Sequence, residues 1–185
     1  SSFVKDTKAF LRKAIENGKR VILEGTQGFG LSLYHSPFYP YVTSRDTTAS
    51  GFLSESGLSP TDVDDVVLTI RAFPIRVAGN SGPLESEIDW ETVTLEGGHS
   101  QPIEERTSVT NRRRRVARFD SKIVKEALIV NAPSRIVLNH LDYLKSVVLA
   151  DKDEVCNSFI KNLELQLNRK IDLLGYGPDK VSPNK

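Results

Sequence analysis

Val66-Val67-Leu68-Thr69-Ile70-Arg71-Ala72-Phe73 is a near-continuous apolar run, and its reading decides the fold class. A strand with one wet face alternates apolar and polar residues. An almost unbroken run instead belongs to a strand covered on both faces, as in a mostly parallel sheet with flanking helices. Pro74 ends or interrupts it, because proline has no N–H for the ladder. Residues 135–138 read as a second buried strand, and residues 21–23 and 171–174 as shorter ones. Around them lie stretches with helical spacing. Residues 3–17 are amphipathic, with Gly18 at the C-cap position. Ser59-Pro60 opens a short helix with Pro at its first position. Asp120 or Ser121 caps a helix through residue 131, and residues 151–168 form a last long one. The expectation is one α/β domain over residues 1–179, followed by a polar tail over 180–185.

Composition narrows the function classes. The chain has 185 residues, enough for one real core, and 26% are charged with a net charge of +1. No bulk charge therefore drives it toward nucleic acid or membrane, and any basic function must be local. No apolar run approaches the length of a membrane span. The single cysteine, Cys156, excludes an internal disulfide and suits a cytoplasmic setting. Ser1-Ser2 and the absence of methionine read as a chain cut or a tag scar.

The local basic feature is Thr110-Asn111-Arg112-Arg113-Arg114-Arg115. In an extended segment, Arg112 and Arg114 share one face while Arg113 and Arg115 share the other. One side can then hold an anion and the other can meet structural carboxylates, because a guanidinium fork binds either through paired hydrogen bonds. The acidic counterweight is nearby, from Glu85 to Glu105. On composition alone the same run also suits a solvated basic face or a nucleic-acid patch.

Three other stretches are suggestive. Glu24-Gly25-Thr26-Gln27-Gly28-Phe29-Gly30 follows a strand, where small residues let backbone N–H groups approach a ligand; no Gly-Lys-Ser/Thr follows, so it is not a Walker loop. Thr43-Ser44-Arg45-Asp46-Thr47-Thr48 suits anion or sugar contact as well as an ordinary turn. Asn139-His140-Leu141-Asp142 follows a strand directly, and open α/β sheets bind ligands at that position. A carboxylate there accepts both N–H donors of a guanine edge, which adenine lacks. His99, between Gly98 and Ser100, reads as solvent-facing. No His/Cys/Asp cluster in the acidic stretch of residues 85–106 has metal-ligand spacing.

Taken in order, these stretches resemble the adenylosuccinate synthetase family. Glu24-Gly25-Thr26-Gln27-Gly28 is similar to the family's Glu-Gly-Ala-Gln-Gly, and Tyr39-Pro40-Tyr41-Val42-Thr43-Ser44 to its Tyr-Pro-Phe-Val-Thr-Ser. Arg76-Val77 with Gly82-Pro83 resembles an Arg-Val-Gly-x-Gly-Pro loop. Thr110 to Arg115 with Phe119-Asp120 resembles Thr-Thr-Gly-Arg-x-Arg-Arg followed by an apolar-Asp pair. Asn139-His140-Leu141-Asp142 stands where the family has Thr-Lys-Leu-Asp, and Gly175-Tyr176-Gly177-Pro178 where it has Ser-x-Gly-Pro.

The resemblance implies a GTP-dependent ligase that joins L-aspartate to C6 of an IMP-type purine nucleotide in purine biosynthesis, with Mg²⁺. It implies purine-monophosphate contacts at Gln27 and Thr43, and aspartate contacts at Val77, Thr110 and Arg112. It implies nucleotide contacts at Arg114, and a guanine pocket from His140, Asp142, Gly175, Gly177 and Pro178. Val109, Asn111 and Arg118 depart from the pattern, and they leave open a phage-type relative acting on a deoxyguanylate. The family's Gly-Asp-Glu-Gly-Lys-Gly-Lys segment, which carries the catalytic Asp, and the catalytic His that follows it have no match in the sequence. The chain is therefore read as the C-terminal portion of such a protein, acting as a homodimer or with a complementing N-terminal chain. A non-catalytic nucleotide-binding module is the alternative.

Overall fold

The computed structural model describes residues 4, 6–25, 27–146 and 153–184. The chain divides into two compact units, Ser1–Val66 and Val67–Lys185.

The first unit begins with α1 (Thr7–Glu16), capped by the Asp6 carboxylate, which accepts from Lys8 N at 3.1 Å. Arg12 on this helix grips Asp62 through two bonds of 2.8 and 2.6 Å. Residues 21–23, expected as a buried strand, form none, and Ile22 is 81% exposed. The apolar run is strand-like, but a strand needs a neighbouring ladder, and no described residue supplies one. The polar stretch at 43–48 leads into α2 (Ala49–Ser56), which Thr48 caps by accepting from Gly51 N at 3.1 Å. Ser59-Pro60 opens a single 3-10 turn, Pro60–Asp62, closed by a capping box.

The second unit holds two sheets. The larger runs in the order β1-β5-β6-β7, with β1 (Val67–Arg71), β5 (Arg135–Asn139) and β6 (Leu173–Gly175) parallel and β7 (Val181–Pro183) antiparallel. Residues 181–183, read as part of a polar tail, thus form an edge strand. The smaller antiparallel sheet has the order β2-β4-β3, from β2 (Ile75–Arg76), β3 (Glu87–Ile88) and β4 (Arg115–Ala117). The acidic stretch, which has little periodicity, nonetheless contains α3 (Trp90–Glu96), capped by Asp89 and buried through Trp90 and Val93.

The remaining helices are α4 (Ser121–Asn131), α5 (Leu141–Leu144) and α6 (Glu154–Leu167). Asp120 caps α4. Cys156, Ile160, Leu163 and Leu167 form the buried stripe of α6 at helical spacing. They join Ile70, Ile136, Leu138, Leu141, Ile171 and Leu174 in the core. This is the expected mostly parallel α/β architecture.

Candidate functional site

The larger sheet fixes where its loops converge. β1 and β5 are in register from Val67↔Arg135 to Arg71↔Asn139, and Leu138 pairs with Leu174 on β6. Arg71, Asn139 and Gly175 therefore end their strands at one carboxyl edge. His140 adopts a left-handed conformation (φ +64°) that turns the chain straight into α5, so Asp142 lies in its first turn. Gly175 is needed here: a Cβ on it would stand 2.1 Å from Asn139 Oδ1. Gly177 has φ +154° and precedes Pro178. The sheet thus brings the Asp142 turn and the Gly175–Pro178 turn to the same edge.

A polar cluster occupies that edge. The Arg71 guanidinium donates to Glu105 Oε1 and, through Nε, to the Phe73 carbonyl at 3.3 Å. The Tyr143 hydroxyl donates to the same Oε1 at 3.2 Å, and Arg114 Nε lies 4.0 Å from Oε2. The His140 ring sits 4.7 Å from the Tyr143 ring. Burial, reinforced by Glu105, pushes the Tyr143 phenol up to about 12. Burial also lowers the His140 pKa, aided by Arg71 and opposed by Glu105 and Asp142. His140 is thereby kept a neutral ring that can stack. Asp142 Oδ1 and Arg114 Nε are buried without a hydrogen-bond partner among the described residues. Buried polar atoms are seldom left so, and a carboxylate oxygen can accept from a ligand's N–H group.

Arg113 and Arg115 meet carboxylates as their alternation predicts, but Arg114 faces Glu105 as well, which leaves Arg112 alone on the expected anion side. Arg113 meets Glu91 at 2.7 Å and Glu104 at 2.9 Å. Arg115 makes a fork to Glu87 at 2.8 and 2.6 Å and also donates to the Gly82 carbonyl at 2.8 Å. Arg114 belongs to the cluster around Glu105, and Trp90 Nε1 donates to its carbonyl at 2.7 Å. The Arg112 guanidinium is exposed and meets no carboxylate among the described residues. Asn111 takes φ +50°, so the turn that a glycine would favour is preserved. Thr107 Oγ1 accepts from Arg112 N at 3.0 Å and lies 2.6 Å from Thr110 Oγ1, which stiffens the loop. Arg76 pairs with Arg115, the last arginine of the run, across β2 and β4, and Val77, 51% exposed, follows Arg76.

In the first unit, Thr43 Oγ1 donates to Gln27 Oε1 at 3.1 Å, which joins the two side chains expected at the purine monophosphate. His99 is not solvent-facing. The Gly97-Gly98 turn is clamped by Ser146, which donates to both glycine carbonyls, and His99 Nε2 is buried without a hydrogen-bond partner among the described residues. Among the described residues no group of three His, Cys, Asp or Glu side chains could hold a metal ion. No described helix is long and apolar enough to cross a membrane. Arg71, Glu105 and Tyr143 were not legible as site residues. Their partners lie 34 and 38 positions away, and only the sheet brings them together.

These features define an α/β protein with a polar cluster at the carboxyl edge of a mostly parallel sheet, where open α/β sheets bind ligands. The family model for adenylosuccinate synthetase matches residues 1–158. Curated adenylosuccinate synthetases are 36% identical over 182 residues in Methanococcus aeolicus and 38% over 182 in Methanocaldococcus jannaschii, each covering 96% of the chain. The chain covers 52% and 50% of those relatives, about half their length. A fully ligated adenylosuccinate synthetase from Plasmodium falciparum superposes with a TM-score of 0.82 at 21% identity, over 98% of this chain and 54% of that one. Succinoaminodeoxyadenylate synthetase of cyanophage S-2L, bound to dGMP and dATP, superposes at 0.73 with 26% identity, over 95% and 49%. The chain belongs to the adenylosuccinate synthetase family, and its fold is an incomplete version of that family's fold.

Proposed function

We propose that the chain contributes the aspartate loop and the guanine pocket of a GTP-dependent carbon–nitrogen ligase of purine biosynthesis. In this reading GTP transfers its γ-phosphoryl group to the 6-oxygen of an IMP-type nucleotide. The L-aspartate amine then attacks C6, and the phosphate leaves with that oxygen. Arg112 grips an aspartate carboxylate with its fork, beside Thr110 and Val77. Asp142 accepts from the guanine N1–H and 2-amino groups, His140 stacks on the base, and the Gly175-Tyr176-Gly177-Pro178 turn walls the pocket. Arg114 faces the nucleotides, and Gln27 and Thr43 meet the purine monophosphate. The acid–base Asp and His that the resemblance implies have no match in this sequence, so the reading gives those roles to no residue named here. The reading implies a cytoplasmic protein that works as a homodimer or with a complementing chain.

The observation that carries the reading is the buried Asp142 Oδ1, partnerless among the described residues at the sheet's carboxyl edge. A second reading takes deoxyguanylate in place of the IMP-type nucleotide. It is favoured by the likeness to the cyanophage enzyme and by the departures at Val109, Asn111 and Arg118.

Calorimetric titration with GTP and with ATP tests the proposal. Hydrogen bonds to a charged acceptor contribute about 1.5–3 kcal/mol, so GTP should bind roughly ten- to a hundredfold tighter than ATP. Asp142→Asn should erase that preference. Equal affinity for both nucleotides in the unaltered chain refutes the guanine pocket.

A further inference from the structure

Glu105 touches three separate parts of the cluster at the sheet's carboxyl edge. Its Oε1 accepts from Arg71 at the end of β1 and from Tyr143 on α5. Its Oε2 faces Arg114, and its backbone carbonyl accepts from Arg114 N at 2.8 Å. The side chain is only 19% exposed, so these neighbours, rather than water, set its orientation. Arg114 is held differently. Its Nε is 4.0 Å from Oε2 and buried without a hydrogen-bond partner among the described residues, so at that nitrogen the link to Glu105 is charge attraction and not a directed bond. A group held by charge without a directed bond reorients when its counter-charge turns.

We propose that Glu105 is a positioning residue through which the α5 turn sets the orientation of Arg114. Tyr143 and Asp142 are neighbours on α5, so a ligand that moves Asp142 also moves the phenol that holds Oε1. The carboxylate then pivots against Arg71, and Oε2 carries Arg114 with it. Base recognition at α5 is thereby linked to anion recognition in the arginine loop, 28 positions earlier in the chain. The ligand identities in this linkage rest on the function proposed above, whereas the path through Glu105 does not. A simpler role, neutralising Arg71, would need neither the Tyr143 bond nor the approach of Arg114.

The Arg114 Nε–Hε resonance in nuclear magnetic resonance spectra, assigned by its loss in Arg114→Lys, tests the path. Tyr143→Phe removes one hydroxyl and should displace that resonance by more than its line width. In a Glu105→Gln background the same change should leave it in place. No displacement in the first case, or an equal displacement in both, overturns the proposal. If Glu105→Gln does not fold, Glu105→Asp keeps the charge and shortens the reach. The response to Tyr143→Phe should again disappear, and its persistence overturns the proposal. Adding GTP should move the resonance further in the unaltered chain than in Glu105→Gln, where only direct contact of the nucleotide with Arg114 remains. A chain that binds no GTP refutes the proposed function, while the Tyr143 comparison still decides the role of Glu105.

Discussion

Gly175→Ala probes the convergence of β5 and β6 at the site. The new methyl carbon would stand 2.1 Å from Asn139 Oδ1 and 3.1 Å from its Cγ, with the Asn139 Cα at 3.4 Å. The last distance is ordinary contact, so the backbones can stay and the Asn139 amide must turn away. Gly175 is buried and Asn139 partly so, which leaves the amide little room. Overpacking of this kind costs about 1–3 kcal/mol. With a urea dependence of about 2 kcal/mol/M, the unfolding midpoint should fall by about 0.5–1.5 M. Asn139→Ala removes the colliding atoms, so the double variant should recover most of the loss. Circular dichroism across a urea series measures both. An unchanged midpoint in Gly175→Ala, or no recovery in the double variant, refutes the argument that these two strand ends meet this closely.

Two further outcomes follow from the same edge. Trp90→Phe removes the indole N–H that bonds the Arg114 carbonyl and leaves space at a residue only 2% exposed. It should destabilise by roughly 2–4 kcal/mol, read by circular dichroism because Trp90 is the sole tryptophan; a loss under about 0.5 kcal/mol contradicts the packing. His140 has a pKa below its ordinary 6.5, so the unfolded chain binds its proton first as pH falls. Stability from this group is therefore full above 6.5 and declines as pH drops through 6.5 toward the folded value. His140→Asn keeps a residue that tolerates positive φ and should flatten the fall in melting temperature between pH 7.5 and 5.5. An equally steep fall in that variant assigns the pH dependence elsewhere.

Sequence reading was accurate where a segment's own composition determines its state. The apolar runs read at 66–73 and 135–138 contain the paired strands β1 and β5, and Asp120 capped α4, but β1 lies at the sheet's edge with Val67 and Thr69 exposed and is not the doubly covered strand its composition suggested. It failed where the state depends on a partner. Residues 21–23 have strand composition but no ladder among the described residues, and the polar residues 181–183 became a strand because β6 offered an edge. α3 was hidden by its acidic neighbours, although Asp89 ahead of Trp90 and Val93 is a cap before an apolar spacing of three. At the site, the meeting of Arg113 and Arg115 with carboxylates could be read from extended geometry. The junction at Glu105 could not, because its side-chain bonds close loops of more than thirty residues.

Photolabelling with 8-azidoguanosine triphosphate, followed by peptide mapping, tests most directly that a guanine nucleotide sits at the carboxyl edge of the parallel sheet. The account predicts labelled peptides from residues 138–146 and 173–179, protected by excess GTP but not by excess ATP, and lost in Asp142→Asn. Labelling confined to other segments, or protected equally by ATP, would contradict it.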